Sequence, residues 1–144
     1  MSKSKVPVSG FMQKEVITIN SDASIGEAAK TMYEKKVGSL IIKDDDELKG
    51  MITERDIARS IFIHNVSNDS KIKDIFTTPL VSVEPDSSIL DVAEMIGKTQ
   101  ILRIPVIKEG KVLGVISASD LVVLFTMFDN EELEKKFGSF ITEP

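Results

Sequence analysis

The chain has no cysteine, no tryptophan, one tyrosine and one histidine among its 144 residues. Without cysteine there is no disulfide framework, no thiol nucleophile and no thiolate metal site. His64 alone excludes a multi-histidine metal centre, and no Ser-His-Asp signature surrounds it. Long apolar runs are also missing. The longest, residues 121–128, is interrupted by Thr126 and falls far below the roughly 20 residues of a membrane span. The opening Met1-Ser2-Lys3-Ser4-Lys5 is polar and leads into no apolar stretch of signal-peptide length, so the expected location is the cytoplasm. Positive charge is in deficit, with 18 basic against 23 acidic residues and a net charge of -5. That is a poor start for a chain that would hold nucleic acid by neutralising phosphates.

What is present suits a soluble globular chain: 42% hydrophobic and 28% charged residues. Its main feature is an internal repeat. Sliding the sequence by 64 positions lays residues 6–58 over 70–122 without a gap. Asp22-Ala23-Ser24-Ile25 falls on Asp86-Ser87-Ser88-Ile89, and Gly50-Met51-Ile52-Thr53 on Gly114-Val115-Ile116-Ser117. Apolar positions match where identities differ, as in Val16–Ile19 against Leu80–Val83.

Each copy reads as β-α-β-β-α. Residues 16–19 and 81–83 are short β-branched strands. Ser24 and Ser88 are N-caps of helices whose apolar positions recur at three, four and seven: Ile25, Ala28, Ala29, Met32 and Ile89, Val92, Ala93, Ile96. Apolar strands 37–42 and 101–107 follow, then tight polar turns, then strands 48–52 and 112–116. Closing helices start near Glu54 and Ala118, with Thr53 and Ser117 as caps. A unit of about 50 residues has little core of its own, and two can cover each other's sheets. Residues 65–70 read as the joint between them.

The second closing helix continues into residues 121–128, which are apolar almost all round and call for burial on more than one side. Either the chain's own core or a dimer partner would supply it, and Ile57, Ile61, Phe62 and Ile63 offer a similar surface in the first copy. Asp129 or Asn130 is placed to cap a short helix over 131–137, ended by Gly138. Asp44-Asp45-Asp46 reads as a solvated acidic turn. Counted as an EF-hand from Asp44, position 5 is Leu48 and position 12 is Arg55, neither an oxygen ligand of the loop.

The sharpest local signal is Gly-x-x-(Thr/Ser)-x-x-Asp, found as Gly50, Thr53, Asp56 and again as Gly114, Ser117, Asp120. A hydroxyl and backbone N–H groups where a strand turns into a helix favour an anion such as phosphate. A carboxylate on the first helical turn can accept two hydrogen bonds from a ribose diol, and glycine admits a turn or a close backbone approach. The same pattern is a helix-capping arrangement in its own right. Two copies at equivalent positions favour a site.

With these residues in view, the tandem repeat resembles a pair of cystathionine-β-synthase (CBS) domains, a Bateman module, over residues 6–128. Gly50-Met51-Ile52-Thr53-Glu54-Arg55-Asp56-Ile57 and Leu102-Arg103-Ile104-Pro105-Val106-Ile107 carry the likeness. The resemblance implies an α+β fold in which CBS repeats 6–64 and 70–128 pack with pseudo-two-fold symmetry, followed by a tail, 129–144. It implies a non-enzymatic regulatory sensor that needs no metal or cofactor. The ligand would be adenosine-containing: AMP, ADP, ATP or sometimes S-adenosylmethionine. Two clefts between the repeats would each draw residues from both.

In one cleft the resemblance assigns Asp120 to the ribose, Ser117 and Arg103 to the phosphate, and Ile17, Val37, Gly38 and Val115 to the adenine. In the other it assigns Asp56 and Thr53, with Met51, Val81, Ile101 and Leu102 around the base. Ser39 stands there in place of Arg103, and Arg55 is the candidate to compensate. The Asp120 cleft is therefore expected to hold a phosphorylated ligand more strongly. The implied output is a second copy of the chain, meeting it near 57–63 and 121–128, or a protein partner. The alternatives are an interaction module with vestigial clefts and, disfavoured by charge, a nucleic-acid-binding relative.

Overall fold

Serine before an amphipathic run starts both long helices. The computed structural model describes residues 6–75, 81–126 and Lys135. In α1 (Ile25–Lys35) the Ser24 hydroxyl accepts the Glu27 N–H at 3.0 Å, and Glu27 closes the box on the Ser24 N–H at 3.4 Å. In α4 (Ile89–Thr99) the Ser88 hydroxyl accepts the Asp91 N–H at 3.1 Å. Both helices end on a left-handed residue at the same repeat position, Lys36 (φ 57°) and Gln100 (φ 60°).

Each helix leads into a hairpin, β2 (Ser39–Asp44) with β3 (Glu47–Thr53), and β4 (Arg103–Lys108) with β5 (Lys111–Ser117). The register slips once in each, at Ile42/Lys43 and at Val106/Ile107, again equivalent positions. The turn Glu109-Gly110 has φ of 50° and 79°, the two positive values a tight hairpin turn demands, and glycine meets the second without strain. The closing helices, α2 (Glu54–Phe62) and α5 (Ala118–Thr126), follow β3 and β5 directly.

The copies differ at the first strand. β1 (Thr18–Ile19) runs parallel to β2 and completes a three-stranded sheet. The expected strand 81–83 is reduced to a single parallel bridge, Val83 to Val106. The reason lies on the partner strand. The Ile41 N–H donates to the Ile17 carbonyl at 2.9 Å, and the residue equivalent to Ile41 is Pro105, which has no N–H to donate.

The chain resolves into two compact units. The first is built from Val16 onward through the joint, and its core is Ile25, Ala28, Met32, Leu40, Ile42, Ile52, Ile57 and Ile72. The second is built from Val81 onward together with the segment before Val16, and its core includes Val8, Ile89, Leu90, Val92, Ile104, Val106, Ile116, Leu121 and Leu124. The repeats as aligned begin at 6 and 70, whereas the compact units exchange those leading segments. A 3-10 turn, Val8–Gly10, lies on the second unit, and α3 (Ile72–Ile75), an element without a sequence signal, lies on the first.

Three backbone hydrogen bonds hold each segment, and they correspond atom for atom. Ile25 donates to the Ser70 carbonyl (2.9 Å), Ile72 to Ala23 (2.9 Å) and Lys73 to Ser21 (3.0 Å). In the other unit Ile89 donates to Val6 (3.0 Å), Val8 to Ser87 (2.7 Å) and Ser9 to Pro85 (3.1 Å). Val8 and Ile72 are completely buried.

The first unit adds a charged clasp. Lys73 and Lys71 reach Asp22 at 2.7 and 3.8 Å. Hydrogen bonding and charge from Lys73 hold the Asp22 carboxyl below its ordinary range, and Asp22 raises Lys73 in return. Asp44, read from sequence as part of a solvated turn, accepts the Ser21 hydroxyl at 2.5 Å and the Ser21 N–H at 2.8 Å, which lower its pKa. Asp45 and Asp46 are exposed as expected.

α5 is one-sided within its own unit. Leu121 and Leu124 are buried, while Val122 and Val123 are 62% and 58% exposed. The proposed tail helix and residues 127–128 lie outside the described residues. Among the described residues no helix is long and apolar enough to cross a membrane, and no three acidic or histidine side chains are grouped to hold a metal.

Candidate functional site

Both Gly-x-x-(Thr/Ser)-x-x-Asp motifs sit where a β-strand becomes a helix with no intervening loop. Thr53 is the extended N-cap of α2. Its hydroxyl accepts the Asp56 N–H (3.2 Å) and donates to Asp56 Oδ2 (3.0 Å), which also accepts the Thr53 N–H (2.9 Å). Ser117 and Asp120 repeat the box: the Ser117 N–H donates to Asp120 Oδ2 (2.8 Å) and the Asp120 N–H to the Ser117 hydroxyl (3.1 Å). The first N–H of each helix is taken by the strand-leading carbonyl, Glu54 to Gly38 (3.1 Å) and Ala118 to Leu102 (2.9 Å). The capping role of these residues is thus real. A ligand at either turn meets groups already ordered by the helix, which lowers the entropy lost in recognising it.

The second unit arranges more of the expected site. Arg103 is the direct cross-strand partner of Ser117, so their side chains share one face of the hairpin. Val115, two residues along and on that same face, pairs with Pro105. Ser117 is buried, and Arg103, Val115 and Asp120 are half-buried. In the first unit Ser39 opposes Thr53 and Met51 opposes Ile41. The strand face that carries a guanidinium in one unit therefore carries only a hydroxyl in the other.

The remaining expected residues divide between the units. Ile17 and Val37 pack at the margin of the first core, and Gly38 supplies the carbonyl that caps α2. Val81 is half-buried, Ile101 packs on the second core, and Leu102 is exposed. Arg55 is also exposed on the first turn of α2.

Sequence reasoning missed Gln13. Its backbone pairs with Val115 through two reciprocal hydrogen bonds of 2.9 Å, adding a bridge at the edge of β5. Its side-chain amide donates to Asp120 Oδ1 at 2.9 Å. Gly114 makes this possible: a Cβ there would stand 2.6 Å from the Gln13 carbonyl and 2.7 Å from the Met12 sulfur. The close approach that glycine signalled is that of the exchanged segment.

The CBS domain model matches twice, at residues 8–63 and 72–126. The chain belongs to the CBS-domain family. CBS domains are generally regulatory rather than catalytic modules. Among curated relatives, the CBS domain-containing protein YhcV of Bacillus subtilis is 29% identical over 135 residues, covering 94% of this chain and 92% of its own length. MJ1225 of Methanocaldococcus jannaschii is 33% identical over 119 residues, 82% of this chain and 42% of its own length. The chain thus spans nearly all of one of these relatives and under half of the other. Among solved structures, the CBS domain pair of MJ0100 superposes with a TM-score of 0.76 at 30% identity, covering 83% of this chain and 99% of that one. That pair was solved in complex with 5′-methylthioadenosine and S-adenosyl-L-methionine.

Proposed function

We propose that this CBS pair is a non-enzymatic sensor of adenosine-containing ligands, whose binding is passed to a second copy of the chain or to a protein partner. The observation that carries the reading is the twin strand-to-helix turn, with Arg103 directly opposite the serine of one copy. Asp120 and Asp56 would accept the ribose hydroxyls. Ser117 with Arg103, and Thr53 in the other copy, would face the 5′ substituent. The complex of the MJ0100 pair with two adenosine compounds supports this ligand class. An arginine matched to phosphate geometry makes the Asp120 site the one suited to AMP, ADP or ATP. The Ser39 position leaves the Asp56 site suited to a 5′ group without phosphate charge. Exposed Phe62 and Ile63 at the end of α2, and Val122 and Val123 on α5, are the surfaces assigned to a second copy.

Calorimetry with AMP, ADP, ATP, S-adenosylmethionine, 5′-methylthioadenosine and a short RNA tests the reading. Arg103→Ala is expected to weaken the phosphorylated ligands about tenfold or more, the worth of a charge-assisted hydrogen bond, and to leave 5′-methylthioadenosine unchanged. Absence of a heat signal with every adenosine compound would sink the sensor in favour of an interaction module. That rival has one observation on its side: the hydroxyls and carboxylates of both turns already serve as helix caps. A salt-steep affinity for the RNA would instead identify a nucleic-acid binder.

A further inference from the structure

Asp120 and Asp56 occupy the same repeat position and differ in what surrounds their outer oxygen. Each commits Oδ2 to its own helix cap. Asp120 Oδ1 then accepts the amide of Gln13, 107 residues away in sequence. Among the described residues nothing donates to Oδ1 of Asp56. The position equivalent to Gln13 is Thr77, outside the described residues.

The Gln13 contact is well prepared. Two backbone hydrogen bonds to Val115 fix where its side chain starts, and the missing Cβ of Gly114 lets the segment lie close enough. The side chain itself is exposed, so its amide can turn to water when the carboxylate is taken. A vicinal diol offers two O–H donors to a carboxylate, and a carboxylate has four lone-pair sites. Oδ2 already accepts the Ser117 N–H of the cap, and Oδ1, the oxygen the cap leaves for a diol hydroxyl, is engaged by the Gln13 amide.

We propose that Gln13 is a built-in competitor at the Asp120 site: an adenosine ligand binds there by exchanging its ribose hydroxyl for the Gln13 amide on Oδ1. This rests on the adenosine-sensor reading and adds to it a residue that sets affinity without belonging to either sequence motif. It also ties occupancy of the site to the exchanged segment, because the group that the ligand displaces is carried by residues 6–15.

The test uses the full chain in an Asp56→Asn background, which silences the other ribose acceptor, with 5′-methylthioadenosine and AMP as probes in calorimetry. Gln13→Ala is expected to tighten both probes by the same factor, about two- to tenfold, the worth of one exchanged hydrogen bond. Gln13→Asn keeps an amide one methylene too short to reach and should match Gln13→Ala. The side-chain 15N resonance of Gln13 is expected to shift at saturation in the parent chain. Unchanged or weaker binding in both variants, with no shift of that resonance, would overturn the proposal while leaving the sensor intact. If the unmodified chain binds neither probe, the sensor reading itself falls and the proposal with it.

Discussion

The two compact units hold their exchanged segments with the same three backbone hydrogen bonds and with different side chains. The second unit relies on Val8 in its core and on the Gln13–Val115 pairing. The first relies on Ile72, on the Lys71 and Lys73 pairs with Asp22, and on Asp44 gripping Ser21. At the matching positions of the second unit stand Pro7, Ser9, Asp86, Lys108 and Pro85, so the clasp could not be rebuilt there. Divergence has spared the backbone pattern and fallen on its rim. The same holds at the sites, where the repeat places Ser39 at the position of Arg103 and Thr77 at that of Gln13.

The largest effect that would sharpen this contrast is loss of the apolar anchors. Ile72→Ala is expected to cost about 2–5 kcal/mol and Val8→Ala about 2 kcal/mol. In urea unfolding followed by amide exchange, the first should release the protection of Ile25 and the second that of Ile89. Equal loss in both units from either change would show that the segments are not local anchors. Next is Gly114→Ala, which drives a methyl into Met12 and Gln13 and should cost about 1–3 kcal/mol, with faster exchange at Gln13 and Val115. An unchanged melting temperature would break the link between that glycine and the segment.

The smallest effect is electrostatic, because the clasp is exposed and such pairs contribute little. Asp22 and Asp44 titrate below their ordinary 3.8, so their stabilisation is complete above that value and is lost as pH falls through the lowered one. Lys73 titrates above 10.5, so its share is present below that value and lost as pH rises past the raised one. As pH falls below 3.8, protection at Ile25 and Ile72 should therefore decline ahead of that at Ile89 and Val8. Lys73→Ala should narrow the difference to the part that Asp44 and Ser21 supply, and a parallel decline in the parent chain would remove the clasp from the account.

Much of this was legible in the sequence. The repeat offset, the caps at Ser24, Ser88, Thr53 and Ser117, and the paired hairpins all follow from local pattern, and the structure keeps them. The weakened strand at 81–83 is a tertiary effect of Pro105, a residue more than 20 positions away whose missing N–H removes a ladder bond. The exchange was hidden for a different reason. Val8 and Ile72 are equivalent, so a repetitive sequence fits either segment to either body equally well. Gln13 carries no motif; only Gly114 hinted that some backbone passes close by.

The exchange also orders the chain in time. A nascent chain that has emerged as far as α2 holds a first unit with an open core, since Ile72 has yet to be made. Val8, synthesised first, has no body to join until β5 and α5 have emerged. Neither sequence repeat can finish folding on the other's behalf or on its own. A cut at residues 65–70 would therefore yield two fragments, each carrying the missing piece of its sibling.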